Sequence, residues 1–215
     1  MRKNDRYEYS EELLSSAQTL RESLVAYRRE RQVGGCTLKD YYTLPQEQRA
    51  ELIDGVLYDM AAPTTVHQQI ITELSFQLKD YIRKNKGTCF VFAAPTDVQL
   101  DCDDKTMVQP DIMVVCRKDK ILKRCIYGSP DMVIEVSSPA TRRRDISLKL
   151  NKYADAGVRE YWIVEPDKKK IVVYDLESEE LPVLYGFEDR IPVKIFDQKC
   201  LIDFRQIYEE IEFLY

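Results

Sequence analysis

The sequence predicts an α/β fold, on three observations. Three short apolar, β-branched runs, Ile112–Val115, Met132–Val136 and Tyr161–Val164, read as buried strands. Between the second and third lies a helix with legible ends: Ser138 or Thr141 can cap it, Pro139 suits its approach and Gly157 closes it. A strand, a helix and a strand over this length favour a parallel βαβ unit with a right-handed crossover. Residues 64–86 make the third observation. Thr64 or Thr65 caps this helix, Ile70, Ile71, Leu74, Leu78, Tyr81 and Ile82 form one stripe, and Gly87 ends it.

Taken in order, the chain begins with an amphipathic segment over residues 10–32. Leu13, Leu14, Ala17, Leu20, Leu24 and Tyr27 recur at helical spacing behind a Ser10 cap, and Arg21, Arg28, Arg29 and Arg31 line the polar face. Gly34-Gly35 breaks it off, so residues 1–35 read as an N-terminal helical extension and 36–215 as one domain. The stripe either docks on the core or meets a partner, a second copy in a homodimer included. Next, RAELIDGVLYDM flanks Asp54-Gly55 with two apolar runs, the strongest short hairpin signal available. Glu51 on the first run reads, by pattern, as an exposed strand acid. His67, the sole histidine, falls in the first turn of the 64–86 helix and reads as a surface residue, and Lys79, Arg83, Lys84 and Lys86 complement the dipole at its end.

Strands are expected at 88–94 and 96–100, split by Pro95. DCDDK at 101–105 is a turn, because the glycine and distal glutamate of a calcium loop are missing. Two basic runs follow, Arg117–Arg124 with five cations in eight positions and Arg142–Arg144. Residues 169–176, 181–187 and 191–196 read as β segments, and Phe204–Leu214 as a short helix with Ile207, Ile211 and Leu214 on one side.

The bulk numbers bound the function. A chain of 215 residues with 44% hydrophobic content can bury one sizeable core. A net charge of −5 argues against a protein that coats nucleic acid nonspecifically, and no run approaches the ~18 apolar residues of a membrane span. Cys36, Cys89, Cys102, Cys116, Cys125 and Cys200 show no C-x-x-C spacing and read as reduced thiols of a cytoplasmic protein.

Two acids interrupt the apolar strands, Asp111 before the first run and Glu135 inside the second. Alternation sends Met132, Ile134 and Val136 to one face and Val133 and Glu135 to the other. A carboxylate there is costly unless paired, protonated or bound to a metal. By residue pattern alone, an ion pair with a nearby arginine is the favoured reading over a site.

Pro110-Asp111 followed by Glu135-Val136 resembles the PD-(D/E)XK nuclease superfamily. More closely, ELIDG at 51–55, His67, QPD at 109–111, EVSSPATRRRD at 135–145 and KYADAGVREYWIV at 152–164 resemble the Uma-type restriction endonuclease family over residues 37–175. The resemblance implies a restriction-endonuclease-like core, α/β (α+β), with a mixed sheet flanked by helices. It implies a divalent-metal-dependent endonuclease that hydrolyses DNA phosphodiester bonds with Mg2+ or Mn2+. Asp111 and Glu135 would be metal ligands with the backbone carbonyl of Val136, and Lys149, Glu51 and His67 would complete the catalytic set. One departure stands out: where the E-x-K pattern has lysine, this chain has Ser137. The family resemblance moves the lysine onto the next helix, which offers Lys149 and Lys152 on one face with Asp145. Lys149, four residues after Asp145, matches the family spacing and can reach back over the strand end. Lys152 then contacts phosphate or solvent. Arg142, Arg143 and Arg144 are the expected phosphate contacts, followed by Lys118, Lys120 and Lys123. The alternative is a noncatalytic nucleic-acid- or protein-binding module that kept the fold.

Overall fold

The computed structural model describes residues 34–45, 47–139, 141–178 and 180–215. The helix expected over 10–32 lies outside them. A one-turn helix α1 (Leu38–Tyr41) leads into strands β1 (Ala50–Ile53) and β2 (Val56–Asp59). Only Asp54 and Gly55 join these strands, with φ of 49° and 78°, the left-handed pair that a tight hairpin of this twist needs. A Cβ on Gly55 would also stand 2.4 Å from the Gly34 carbonyl oxygen.

Helix α2 (Thr65–Lys84) starts where Thr64 Oγ1 accepts from the His67 N–H at 3.2 Å. Its far end departs from expectation. The left-handed residue is Lys86 (φ 52°), while the Gly87 N–H donates to the Ile82 carbonyl. Strands β3 (Phe90–Ala93), β4 (Val98–Gln99), β5 (Ile112–Val115), β6 (Ile126–Tyr127) and β7 (Met132–Val136) follow. The next helix, α3, comes in three stretches: Arg142–Arg144 in α geometry, Asp145–Lys149 as a π-turn, and Leu150–Ala156 in α geometry again. Gly157 at φ 85° closes it as expected. Strands β8 (Glu160–Glu165), β9 (Lys170–Asp175), β10 (Val183–Gly186), β11 (Arg190–Val193) and β12 (Cys200–Asp203) and helix α4 (Phe204–Glu209) complete the chain.

Six strands form one mixed sheet in the order β10-β9-β8-β7-β5-β3, with β7 and β8 parallel and every other pair antiparallel. Period-two alternation then assigns the faces. Met132, Ile134, Val136, Trp162 and Val164 meet the Ile70, Leu74 and Leu78 stripe of α2 on one side. Val133, Tyr161 and Ile163 meet Leu150 and Tyr153 of α3 on the other. Each of those fully buried aliphatic side chains contributes about 1.5–3 kcal/mol of burial. The expected α/β architecture, a mixed sheet flanked by helices, is therefore present. Among the described residues no helix is long and apolar enough to cross a membrane.

Two expectations are corrected. Cys89 and Cys116 are joined as a disulfide, so the reading of all six cysteines as reduced thiols fails for this pair; Cys36, Cys102, Cys125 and Cys200 remain free. Phe90 pairs with Val115 at the end of the β3–β5 ladder, which brings the next residue on each strand face to face. The segment after 196 is a strand, β12, where none was expected. Asp197 and Gln198, both at positive φ, reverse the chain, and Cys200 and Ile202 turn inward beside β11.

Candidate active site

The antiparallel register of β5 and β7 builds the site. Met113 opposes Val133 and Ile112 opposes Ile134, so the same register sets Asp111 opposite Glu135. Asp111 Oδ2 accepts from the Val136 N–H at 2.8 Å and lies 3.2 Å from His67 Nε2, which the first turn of α2 delivers. Asp111 thereby ties β5, β7 and α2 together at one end of the sheet. His67 Nδ1 is buried and without a hydrogen-bond partner among the described residues.

Glu135 and Glu51 meet at one ammonium. Lys149 Nζ lies 2.9 Å from Glu135 Oε1 and 2.9 Å from Glu51 Oε1. All three are buried, at 4% exposure for Glu135, 0% for Glu51 and 4% for Lys149. The exposed-acid reading of Glu51 is thus corrected: the β1 strand is buried throughout, and Glu51 Oε1 also accepts from the Gln109 backbone N–H at 2.9 Å. Glu51 Oε2 has no partner among the described residues. Lys149 reaches the pair because it ends the π-turn, whose extra residue per turn is a feature often found at functional sites.

The electrostatics follow from burial. Burial pushes the Glu135 carboxyl well above its ordinary range; Lys149 opposes that rise, and Asp111, Asp145 and Glu51 add to it. Burial alone would lower the Lys149 ammonium, but Glu135, Glu51 and Asp145 outweigh it and raise the net value. Lys149 is therefore a firmly held cation. Asp145, raised chiefly by burial, accepts from Ser137 Oγ at 2.9 Å, so the serine in the lysine position anchors an acid of the next helix.

A cleft of about 380 Å³ takes in all six of Asp111, Glu135, Val136, Lys149, Glu51 and His67, together with Arg49, Arg144 and Asp145. Two participants carried no sequence assignment. The Tyr153 hydroxyl donates to Glu135 Oε1 at 2.7 Å, and Gln109 hydrogen-bonds Glu51. Both sit inside the quoted KYADAGV and QPD segments, which is the signal that could have found them.

The expected phosphate contacts divide. Arg142 is paired with Glu165, Arg143 is exposed, and Arg144 lies with its guanidinium 5.5 Å from the Tyr58 ring. Lys152 is a correction: it is 1% exposed, paired with Asp54 at 2.8 Å and with Asp101, and has no open surface from which to reach phosphate. In the other basic run Lys120 Nζ donates to the Ser129 carbonyl at 2.6 Å, and Lys118 lies 5.7 Å from the Phe90 ring. Among the described residues no three His, Cys, Asp or Glu side chains gather closely enough to hold a metal by themselves.

Comparison with known proteins supplies the lineage. A Synechocystis sp. protein, slr1290, is 25% identical over 163 residues, covering 74% of this chain and 83% of its own. The crystal structure of a putative nuclease belonging to DUF820 from Anabaena variabilis superposes with a TM-score of 0.67 at 20% identity, covering 81% of this chain and 98% of that one. The family profile that matches is Uma2, described as "Putative restriction endonuclease", and it spans residues 38–199. The chain belongs to that family.

Proposed function

We propose that the chain is a divalent-metal-dependent endonuclease that hydrolyses DNA phosphodiester bonds in the cleft between α2, α3 and the ends of β5 and β7. The observation that carries this reading is Lys149, whose ammonium bridges Glu51 and Glu135 at 2.9 Å each beside Asp111 and His67. The residues present fit a hard cation such as Mg2+. Magnesium takes one or two carboxylates plus water and substrate phosphate, so Asp111 and Glu135, with the Val136 carbonyl, suffice. The unmet Glu51 Oε2 adds a spare oxygen donor. When bound, such an ion neutralises phosphoryl charge and activates water.

The chain's own residues do the rest. Lys149, held as a cation by its acidic neighbours, cannot serve as a resting base; it stabilises negative charge that develops on the phosphoryl oxygens. Tyr153 and Lys149 fix the Glu135 carboxylate, and His67 with the Val136 N–H fixes Asp111, so both acids are oriented before substrate arrives. Of the arginines, Arg143 and Arg144 are left to meet the DNA backbone.

The test is nicking of supercoiled plasmid with Mg2+ or Mn2+, run beside an Asp111→Asn protein and a chelator control. Cleavage should need metal and fall by at least about a hundredfold in Asp111→Asn. Either ion should raise the wild-type melting temperature through linkage. DNA binding without cleavage under any metal would instead favour the noncatalytic module.

A further inference from the structure

Arg49 and Arg144 both line the cleft, and the Nε of each is buried with no acceptor among the described residues. A buried donor left unmet is costly, and more so on a charged group. Among the described residues neither guanidinium forms an ion pair, so each brings uncompensated positive charge to the wall of the cleft. Neither arginine is paired with the acids beside it: Glu51 Oε1 and Glu135 Oε1 hold Lys149, and Asp111 faces His67 and the Val136 N–H. Both guanidiniums are nonetheless held in place. Arg49 Nη2 donates to Gln109 Oε1 at 3.1 Å, and Gln109 Nε2 is itself fixed by Tyr41 and Asp97. Arg144 lies over the Tyr58 ring.

We propose that Arg49 and Arg144 form a two-armed clamp for a phosphate of one nucleic-acid strand. The inference rests on the nuclease reading of the same cleft and deepens it, because Arg49 has no counterpart among the motif residues that suggested the reaction. A guanidinium fork matches two oxygens of a phosphodiester in one plane, which an ammonium does not. At about 380 Å³ the cleft is of a size to admit one backbone phosphate.

The probe is a fluorescein-labelled single-stranded deoxyoligonucleotide, followed by anisotropy in chelator with the full-length protein. Arg49→Lys and Arg144→Lys keep the charge and lose the fork; each should weaken binding about tenfold in a protein that still unfolds cooperatively. Arg49→Gln and Arg144→Gln should each flatten the salt dependence by about 0.7 in log–log slope, a change that a merely structural residue does not produce. Lys199→Gln, on the exposed β11–β12 turn, is the control that should keep both. Wild-type binding matched in strength and slope by the arginine variants overturns the clamp and leaves the nuclease reading standing. Weakened binding in a protein that never cuts plasmid keeps the clamp and removes the nuclease reading. A wild type that neither binds the strand nor cuts plasmid removes both.

Discussion

Lys149 and Lys152 stand three residues apart on one helix, and each sets its ammonium between two carboxylates, one drawn from the same hairpin. Lys149 meets Glu51 and Glu135; Lys152 meets Asp54 and Asp101. By composition the two clusters are nearly interchangeable. They differ in what surrounds them. Lys152 itself lines no cleft among the described residues: a wider hollow nearby takes in its partner Asp101 with Arg117, Asp119 and Lys120, while the ammonium stays behind it and closes α3 against the hairpin and the turn at 101–105. Around Lys149 further acids, Asp111 and Asp145, crowd the same space, Glu51 keeps an unmet oxygen, and the cleft opens beside it. A buried lysine with two acids is therefore not in itself a site. Surplus negative charge facing an opening is what distinguishes one cluster from the other.

The largest effect should separate them by activity. On the proposed nuclease reading, Lys149→Met should cost orders of magnitude in plasmid cleavage while leaving DNA binding largely intact, since that reading has the residue stabilise charge and not grip the strand. Lys152→Met should leave cleavage by the folded protein near wild type. A Lys152→Met protein that is fully folded and fails to cut at saturating DNA would reverse the two assignments.

Stability should separate them the other way, with a smaller effect. Removing one member of a buried ion pair leaves uncompensated charge and typically costs 3–5 kcal/mol; because Asp54 and Asp101 keep some exposure, about 3 kcal/mol is the figure for Lys152→Met in urea unfolding. Adding Asp101→Asn to that variant should recover part of the loss, and the double-mutant cycle measures the coupling. In the Lys149 cluster Glu135 can relieve the same insult by taking up a proton, so Lys149→Met should lose less near neutral pH. Equal losses at the two positions would mean that both clusters are structural.

That contrast explains what could be read from the sequence. The strands, β6 and β12 apart, α2 and the βαβ unit rest on periodicity within a few consecutive turns, and they appear where expected. Glu135 was legible because an acid among Met132, Val133, Ile134 and Val136 violates a local pattern. The burial of Glu51 and Lys152 was not legible, because each depends on a partner remote in sequence; Lys152 and Asp54 are 98 residues apart. Read on its helix, Lys152 looks like any solvated cation, and only the folded hairpin encloses it. Arg49 escaped notice for the same reason, since its partner Gln109 is 60 residues on. The resemblance carried Glu51, His67 and Lys149 into the site where composition alone would have left them on the surface.

The smallest effect is a slope, and its sign can be worked out. Glu135 is raised by burial first, with Asp111, Asp145 and Glu51 adding to it and Lys149 opposing. A carboxyl raised on folding binds more protons in the native state, so its contribution to stability is full below the unfolded value near 4.3 and is lost as pH climbs through the folded one. Lys149, also raised, gives the same sign in a different window: its contribution persists until alkaline pH and is constant from acid to neutral. In chelator, wild-type stability should therefore decline from about pH 4 toward neutrality by a component that Glu135→Gln lacks. Asp145 and Glu160, both raised chiefly by burial, leave the variant a residual decline, so its slope is shallower without being flat. Magnesium should flatten the wild-type slope as well, because the ion favours the ionised carboxyl, and should do nothing comparable for Glu135→Gln. Urea unfolding of both proteins across that range, with and without magnesium, is the measurement. Parallel slopes in chelator would show that Glu135 carries no surplus charge, and the Lys149 cluster would then be as structural as that of Lys152.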